Sequence, residues 1–279
     1  MSAPVTMAPD WDSFAGSGLL HEVGGHRCVA GASTDPDGHV DCLVEHAPEP
    51  VVTDPAALRL LAGTVLAEHP GDRWRDLVVR VPGPVVPAPP LARDLSHLRC
   101  TGAFDATVRP PDGVRIAPSA GAGDEAHVRD WLRRAVVTGN GERELPQEDE
   151  VVDRIVDGYL TAPDRVSLVA SVTTAQGRLP IAHATMLTAA VDDLIGTSFV
   201  DLVDILVEAG HDARALIGAL SAACARHARA LGRPLVGNVV HSRSDAANGE
   251  RVVASLVRRG WELTDTYWRC SLEGLRGAR

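Results

Sequence analysis

The chain has 279 residues, 45% apolar and 23% charged, a make-up that excludes disordered and fibrous classes and suffices for one large domain or two modest ones. Its formal charge is −10, from 37 acidic residues against 27 basic ones that are Arg throughout, which works against adhesion to nucleic acid or an anionic membrane and draws cationic small molecules inward. No apolar run approaches a bilayer span and the start, MSAPVTMAPDWD, has no basic-then-apolar leader, so a cytoplasmic protein is expected, its five scattered cysteines reduced and without zinc-ligand spacing.

In chain order, HRCVAGAS and HVDCLVEHA flank the turn signal TDPDG and predict a hairpin. DPAALRLLAGTVLAEHPGD (54–72) sets Leu58, Leu61, Val65 and Leu66 at helical spacing behind an Asp-Pro start, and WRDLVVRVP (74–82) follows as a strand. Residues 1–82 thus read as a small α+β domain without a catalytic constellation; His21, His26, His39, His46 and His69 match no standard metal spacing, and no metal is expected. VPGPVVPAPPLARDLSH (81–97) is too rich in proline for a helix or a central strand, and RPPDGVRIAPSAGAGDEA (109–126) mixes turn residues with one short strand. Residues 83–112 are therefore expected to be a linker, with a second domain over 113–279.

That second domain opens with the strand VRIAP (114–118) and a helix, DEAHVRDWLRRAVV (124–137), with Val128, Trp131, Leu132 and Ala135 on one face. EDEVVDRIVDGYL (148–160) is a second helix, its acidic opening suited to a helix N-terminus. SLVASVTTAQGRLPIAHATMLTA (167–189) alternates around the turn QG as a hairpin, and TSFVDLVDILVE (197–208) is a long apolar strand. A helix from about Arg214 to Leu231, the strand PLVGNVVH (234–241), the helix NGERVVASLVRRGW (248–261) and the strand TYWRCSL (266–272) complete the order.

Three stretches carry a resemblance. ILVEAGHDARALIGAL joins a strand to a helix through a short loop, SAACARHARALGRPL ends that helix with Ala228 and Gly232 four apart, and LVRRGWE (256–262) ends the next helix on Gly-Trp. In these features and in its order of elements, the chain over roughly 110–275 resembles the GNAT superfamily of acyl-CoA-dependent acyltransferases. The resemblance implies an α/β (α+β) fold: a mixed, mostly antiparallel sheet flanked by helices, here preceded by a smaller α+β domain that reads as a truncated or decayed second copy. It also implies that the strands TSFVDLVDILV and PLVGNVV splay apart, that Ile205, Leu206 and Val207 offer backbone to a pantetheine arm, and that Asp212, Ala213, Arg214, Ala215, Leu216, Ile217 and Gly218 form a pyrophosphate cradle at a helix N-terminus, with Asn248 added from the next helix. The cradle departs from the family pattern. Asp212 stands where Arg or Gln is usual and Ile217 where Gly or Ala is usual, so its charge opposes a pyrophosphate while Arg214 offsets it.

For the chemistry, Asp201 occupies a position where some relatives place a general base, and period-two alternation sets it on one face with Val203, Ile205 and Val207. It reads equally as a strand-end cap. Glu208 is a second base candidate or a solvated turn residue. Leu256 stands where the family's thiolate acid, a Tyr, is usual, which leaves Tyr267 as an off-motif candidate. His183, alternating with Thr185, and Trp268 are candidate acceptor contacts or packed core residues, as is Trp131. The expected function is transfer of an acetyl or other short acyl group from acetyl-CoA or another acyl-CoA to a small-molecule amine. A carrier-protein or tRNA-borne donor and a non-catalytic binding module stay open beside it. An acyl carrier protein and a second copy of the chain are the further candidate partners.

Overall fold

The computed structural model describes residues 9–70, 73–83, 85–101 and 108–277. Its N-terminal half runs β1 (Leu20–Val23), β2 (His26–Thr34), β3 (Val40–His46), α1 (Glu49–Val52), α2 (Pro55–Glu68) and β4 (Trp74–Pro82), followed by β5 (Ala92–Cys100). The C-terminal half runs β6 (Val114–Pro118), α3 (Gly121–Glu142), α4 (Asp149–Thr161), β7 (Arg165–Thr174), β8 (Gly177–Asp192), β9 (Thr197–Val207), α5 (Ala213–Ala230), β10 (Leu235–Val240), α6 (Ala246–Arg258), β11 (Trp261–Ser271) and α7 (Leu272–Gly277). None of these helices is long and apolar enough to cross a membrane.

Local chemistry explains three of the helix starts. Pro55 is pre-set for a first helical turn, and the Asp54 carboxylate accepts from the Ala56 amide at 2.8 Å, so α2 begins where the Asp-Pro pair predicts. The same capping recurs at α5, where Asp212 accepts from Ala215, and at α6, where Asp245 accepts from Asn248. The two expected hairpins form as β2–β3 and β7–β8.

The strands join in one sheet, in the order β1-β2-β3-β4-β11-β5-β10-β9-β8-β7-β6. Its centre is a reciprocal exchange. β5, from the first half, lies between β10 and β11, and β11, from the second half, lies between β5 and β4, all three contacts antiparallel. This corrects the linker reading of 83–112: Ala92–Cys100 is an interior strand, while residues 84 and 102–107 of that stretch lie outside the described residues. β5 escapes a hydrophobicity scan because its buried face is Asp94, Ser96 and Leu98, two of them polar. Those polar groups are paired. Asp94 is held by Arg143 and Arg269, and Ser96 Oγ lies 2.8 Å from His241 Nε2.

Three cores follow. One, around Leu58, Leu61, Val65, Leu77 and Trp268, lies under α2 and α7; a second, around Leu98, Leu202, Leu216, Leu220 and Trp261, lies under α5 and α6; a third, around Val128, Trp131, Leu132, Val156 and Val169, lies under α3 and α4 on the other face from α5. Between α6 and the sheet, the buried His241 ring fills the space at Gly249. A Cβ built there would sit 2.5 Å from His241 Nδ1 and 2.9 Å from its Cγ. Gly249→Ala is therefore expected to lower stability in urea or thermal unfolding: overpacking costs about 1–3 kcal/mol, more than the roughly 1 kcal/mol that Ala gains over Gly in a helix.

Candidate active site at the splayed strands

β9 and β10 run parallel but pair only at Leu235↔Val200, Val236↔Asp201 and Gly237↔Leu202. Beyond that point β9 continues to Val207 against β8, and β10 continues to Val240 against β5. The two strands therefore part, and a cleft opens between Val203–Val207 and Asn238–Val240. A bulge in β9 marks the parting. Leu202 opposes Met186 and Asp204 opposes Thr185, which leaves Val203 as an extra residue.

The bulge resets the alternation. Ile205 and Val207 pack toward α5, whereas Val203 and Leu206 pack toward α3 and α4. Asp201 lies between Val200 and Leu202, both in the α5-side core, so it faces α4, where its charge acts on Tyr159. The expectation that Asp201 shares a face with Ile205 and Val207 is thus corrected; a period of two does not survive an inserted residue.

On the α5 side, the loop after β9 delivers the chain to a helix N-terminus whose Ala215 amide is already occupied by the Asp212 carboxylate at 3.0 Å. Beside it lies a groove of about 900 Å³ lined by Asp212, Arg214 and Gly218 of α5 and its cap, by Val257–Gly260 at the end of α6, and by Val108 and Arg109. Four arginines (Arg109, Arg214, Arg258 and Arg259) and one acidic residue, Asp212, are among its lining, and none of the four forms a salt bridge among the described residues. Of the predicted cradle, Ala213, Arg214 and Ala215 lie open or half-open, Leu216 is buried in the core, and Ile217 is exposed on the surface. Asn248 sits in the first turn of α6, its amide held by Asp245, outside the groove lining. Arg109, Arg258 and Arg259 were not anticipated: Arg after Arg at a helix end reads as a solvated face until tertiary packing brings it beside α5.

On the α3/α4 side, burial pushes the Asp201 carboxyl up to about 6. Burial, with the charges of Asp201 and Asp204, also raises the Tyr159 hydroxyl. His183 is fully buried, stacked on Trp131 with ring centroids 5.0 Å apart, and its Nε2 lies 3.1 Å from Asp204 Oδ2. Glu208 accepts from Trp131 Nε1 and from Arg134, and these two bonds hold its carboxyl below the ordinary glutamate value. A carboxylate so engaged is a tether for α3.

Two candidates lie elsewhere. Tyr267 and Trp268 are on β11, which β5 separates from β10. Tyr267 lies tilted against the His97 ring and burial raises its hydroxyl further, away from any use as an acid; Trp268 belongs to the core under α2, its indole N–H donated to Thr266. Asp204, which sequence reading passed over, stands at the bulge instead. Its signal was present as the second Asp of FVDLVDILV, but only the bulge turns it to the same side as Asp201.

No family model matches the chain, and no curated protein does. Among solved structures, a GCN5-related N-acetyltransferase from Kribbella flavida is similar at 13% identity and a TM-score of 0.51, over 90% of this chain and 88% of that one. A GNAT-family acetyltransferase from Colwellia psychrerythraea (9% identity, TM-score 0.46, 90% and 84% covered) and a tandem GNAT protein from the clavulanic acid biosynthesis pathway (15%, 0.45, 89% and 79%) are also similar. The likeness to the Kribbella structure is one of fold: this chain has the GCN5-related N-acetyltransferase fold, and the match is wider than residues 113–279.

Proposed function

We propose that the chain is an acyltransferase that moves an acetyl or other short acyl group from an acyl-CoA to the amine of a small molecule, in the cytoplasm. The observation that carries this reading is the parting of β9 and β10 beyond Gly237 and Leu202, flanked on one face by an arginine-lined groove and on the other by a half-buried carboxylate. Unpaired strand edges suit an extended pantetheine amide chain, which hydrogen-bonds as a strand does. Arg109, Arg214, Arg258 and Arg259 suit the phosphates that follow it.

Asp201 is the base in this reading. An amine arrives as an ammonium and must lose its proton to attack the thioester; a carboxyl raised to about 6 is ionised at neutral pH yet basic enough to take that proton. Main-chain N–H groups in the splay are suited to hold the oxyanion. Leu256, packed against the α5-side core, supplies no acid, so the departing thiolate takes its proton from solvent. The acidic chain, at −10, favours a cationic acceptor.

A second reading, in which the acyl group arrives on a carrier-borne pantetheine without a pyrophosphate, is favoured by one observation: the Asp212 carboxylate already occupies the amide a pyrophosphate would use. Calorimetry separates the two. Asp212→Asn keeps the helix cap and removes the like charge, worth on the order of 1 kcal/mol near a phosphate, so acetyl-CoA is expected to bind wild type and to bind the variant several-fold tighter. Absence of binding to both proteins would overturn the acyl-CoA reading in favour of the carrier-borne donor.

A further inference from the structure

Beneath α3 a row of side chains crosses β7, β8 and β9: Arg165, Ser167, Thr185, His183 and Asp204. Its hydrogens can be assigned from valence alone. The Arg165 guanidinium has no acceptor capacity, so its Nη1–H donates to Ser167 Oγ at 3.0 Å, while its Nη2 is tied to Glu125. Ser167 is 4% exposed, and among the described residues the acceptor in reach of its single O–H is Thr185 Oγ1, 2.9 Å away. Thr185 is fully buried and now accepts from Ser167, so its own O–H points to His183 Nδ1 at 3.2 Å. Any other arrangement strands a hydroxyl hydrogen in the interior without an acceptor, which is costly. With Nδ1 accepting, the imidazole proton sits on Nε2 and is donated to Asp204 Oδ2.

The consequence lies at the bulge. Oδ2 of Asp204 is committed to the imidazole, Oδ1 has no protein partner among the described residues, and the side chain is 21% exposed beside the cleft. The geometry points to His183 as a positioning residue: a one-way hydrogen-bond row that begins at Arg165 fixes its tautomer, and it holds Asp204 so that Oδ1 receives the N–H of the incoming acceptor amine. This role rests on the acyl-transfer reading of the same cleft. Asp201 takes the proton; Asp204, held from behind, orients the nitrogen that gives it up. The π-stack of His183 on Trp131, with interplanar angle 14°, fixes the ring plane as the hydroxyl row fixes its protons.

The test separates the row from the reaction. In protein labelled with ¹⁵N-histidine, long-range ¹H–¹⁵N spectra, with the His183 signals assigned by their loss in His183→Gln, are expected to show the proton on Nε2. That tautomer should persist in Asp204→Ala, because Thr185 still donates to Nδ1, should become mixed in Asp204→Ala/Thr185→Val, and should return in Asp204→Ala/Thr185→Ser. Thiol release from acetyl-CoA with a panel of primary alkylamines is expected to show Asp204→Asn raising the acceptor KM by about tenfold or more, the worth of a hydrogen bond to a charged group, with the acetyl-CoA KM unchanged. A proton on Nδ1 in wild type, a tautomer that switches in Asp204→Ala alone, or an unchanged acceptor KM in Asp204→Asn would overturn the proposal. Failure of wild type to bind acetyl-CoA in calorimetry would instead remove the donor reading and leave the tautomer result standing.

Discussion

Asp201→Asn is expected to slow amine acylation by about 10²- to 10⁴-fold, the usual contribution of a positioned general base, while acetyl-CoA binding stays intact. In wild type the rate should rise with pH through about 6, as the half-buried carboxyl loses its proton, and the variant should lack that limb. The same substitution is expected to stabilise the fold at pH 8. A carboxyl whose folded value is raised binds its proton more tightly folded than unfolded, so the stability it gives at low pH is lost as the pH rises from about 4 through about 6, and the loss is complete above that. Removing the ionisable group removes that loss, on the order of 2 to 3 kcal/mol by the size of the shift. Loss of activity with a higher melting temperature separates a functional carboxylate from a structural one; a variant that loses both, or neither, would show Asp201 to be a strand-end residue.

The second large effect concerns the exchanged strands. Arg269 on β11 is 5% exposed and meets three buried carboxylates, from Asp41 on β3, Asp76 on β4 and Asp94 on β5, at 2.9 to 3.1 Å. Arg75 and Arg143 flank the row, tying Asp41 and Asp94 from either side. Arg269→Met keeps the length and removes the charge, leaving three like charges inside the sheet, and is expected to cost about 3–5 kcal/mol in urea unfolding, the range for breaking a buried pair from one side. Acid should act on the same row. Although burial opposes it, hydrogen bonds and charge from Arg143 and Arg269 hold the Asp94 carboxyl below its ordinary value, so its stabilisation is complete above about pH 4 and is lost as the pH falls through that lower value. An Arg269→Met protein as stable as wild type would mean that the row contributes nothing to joining the two halves.

That row also shows why β5 escaped a reading by pattern. Strand prediction looks for alternating apolar residues, and β5 buries Asp94 and Ser96 instead; each is tolerable inside because a partner from a distant segment, Arg269 or His241, arrives to satisfy it. Proline at 82, 84, 87, 89 and 90 reads as a connector; Pro82 instead closes β4, Pro84 lies outside the described residues, and the irregular stretch holding Pro87, Pro89 and Pro90 ends at Leu91, where the strand begins at once. Tyr267 as an acid and Trp268 as an acceptor contact fail for the same reason, while the core alternative for Trp268 holds. Their strand was read correctly, yet which strands flank it depends on the exchange, and the exchange puts them in the N-terminal half of the sheet.

By itself the sequence determined the element types and most of their order. The caps at Asp54, Asp212 and Asp245, the QG turn of the β7–β8 hairpin, and the helical spacing in α2, α3 and α4 are interactions between residues a few positions apart, and so they can be read in one dimension. The parting of β9 from β10 was expected only through the family resemblance, which the loop and helix after β9 help to carry. Only the tertiary structure decided that β5 and β11 change places, that one extra residue at Val203 turns Asp204 to the same side as Asp201, and that Arg258 and Arg259 meet Arg214 across a groove. Those outcomes depend on pairings between segments far apart in sequence, where charge satisfaction and register choose among partners that local periodicity cannot tell apart.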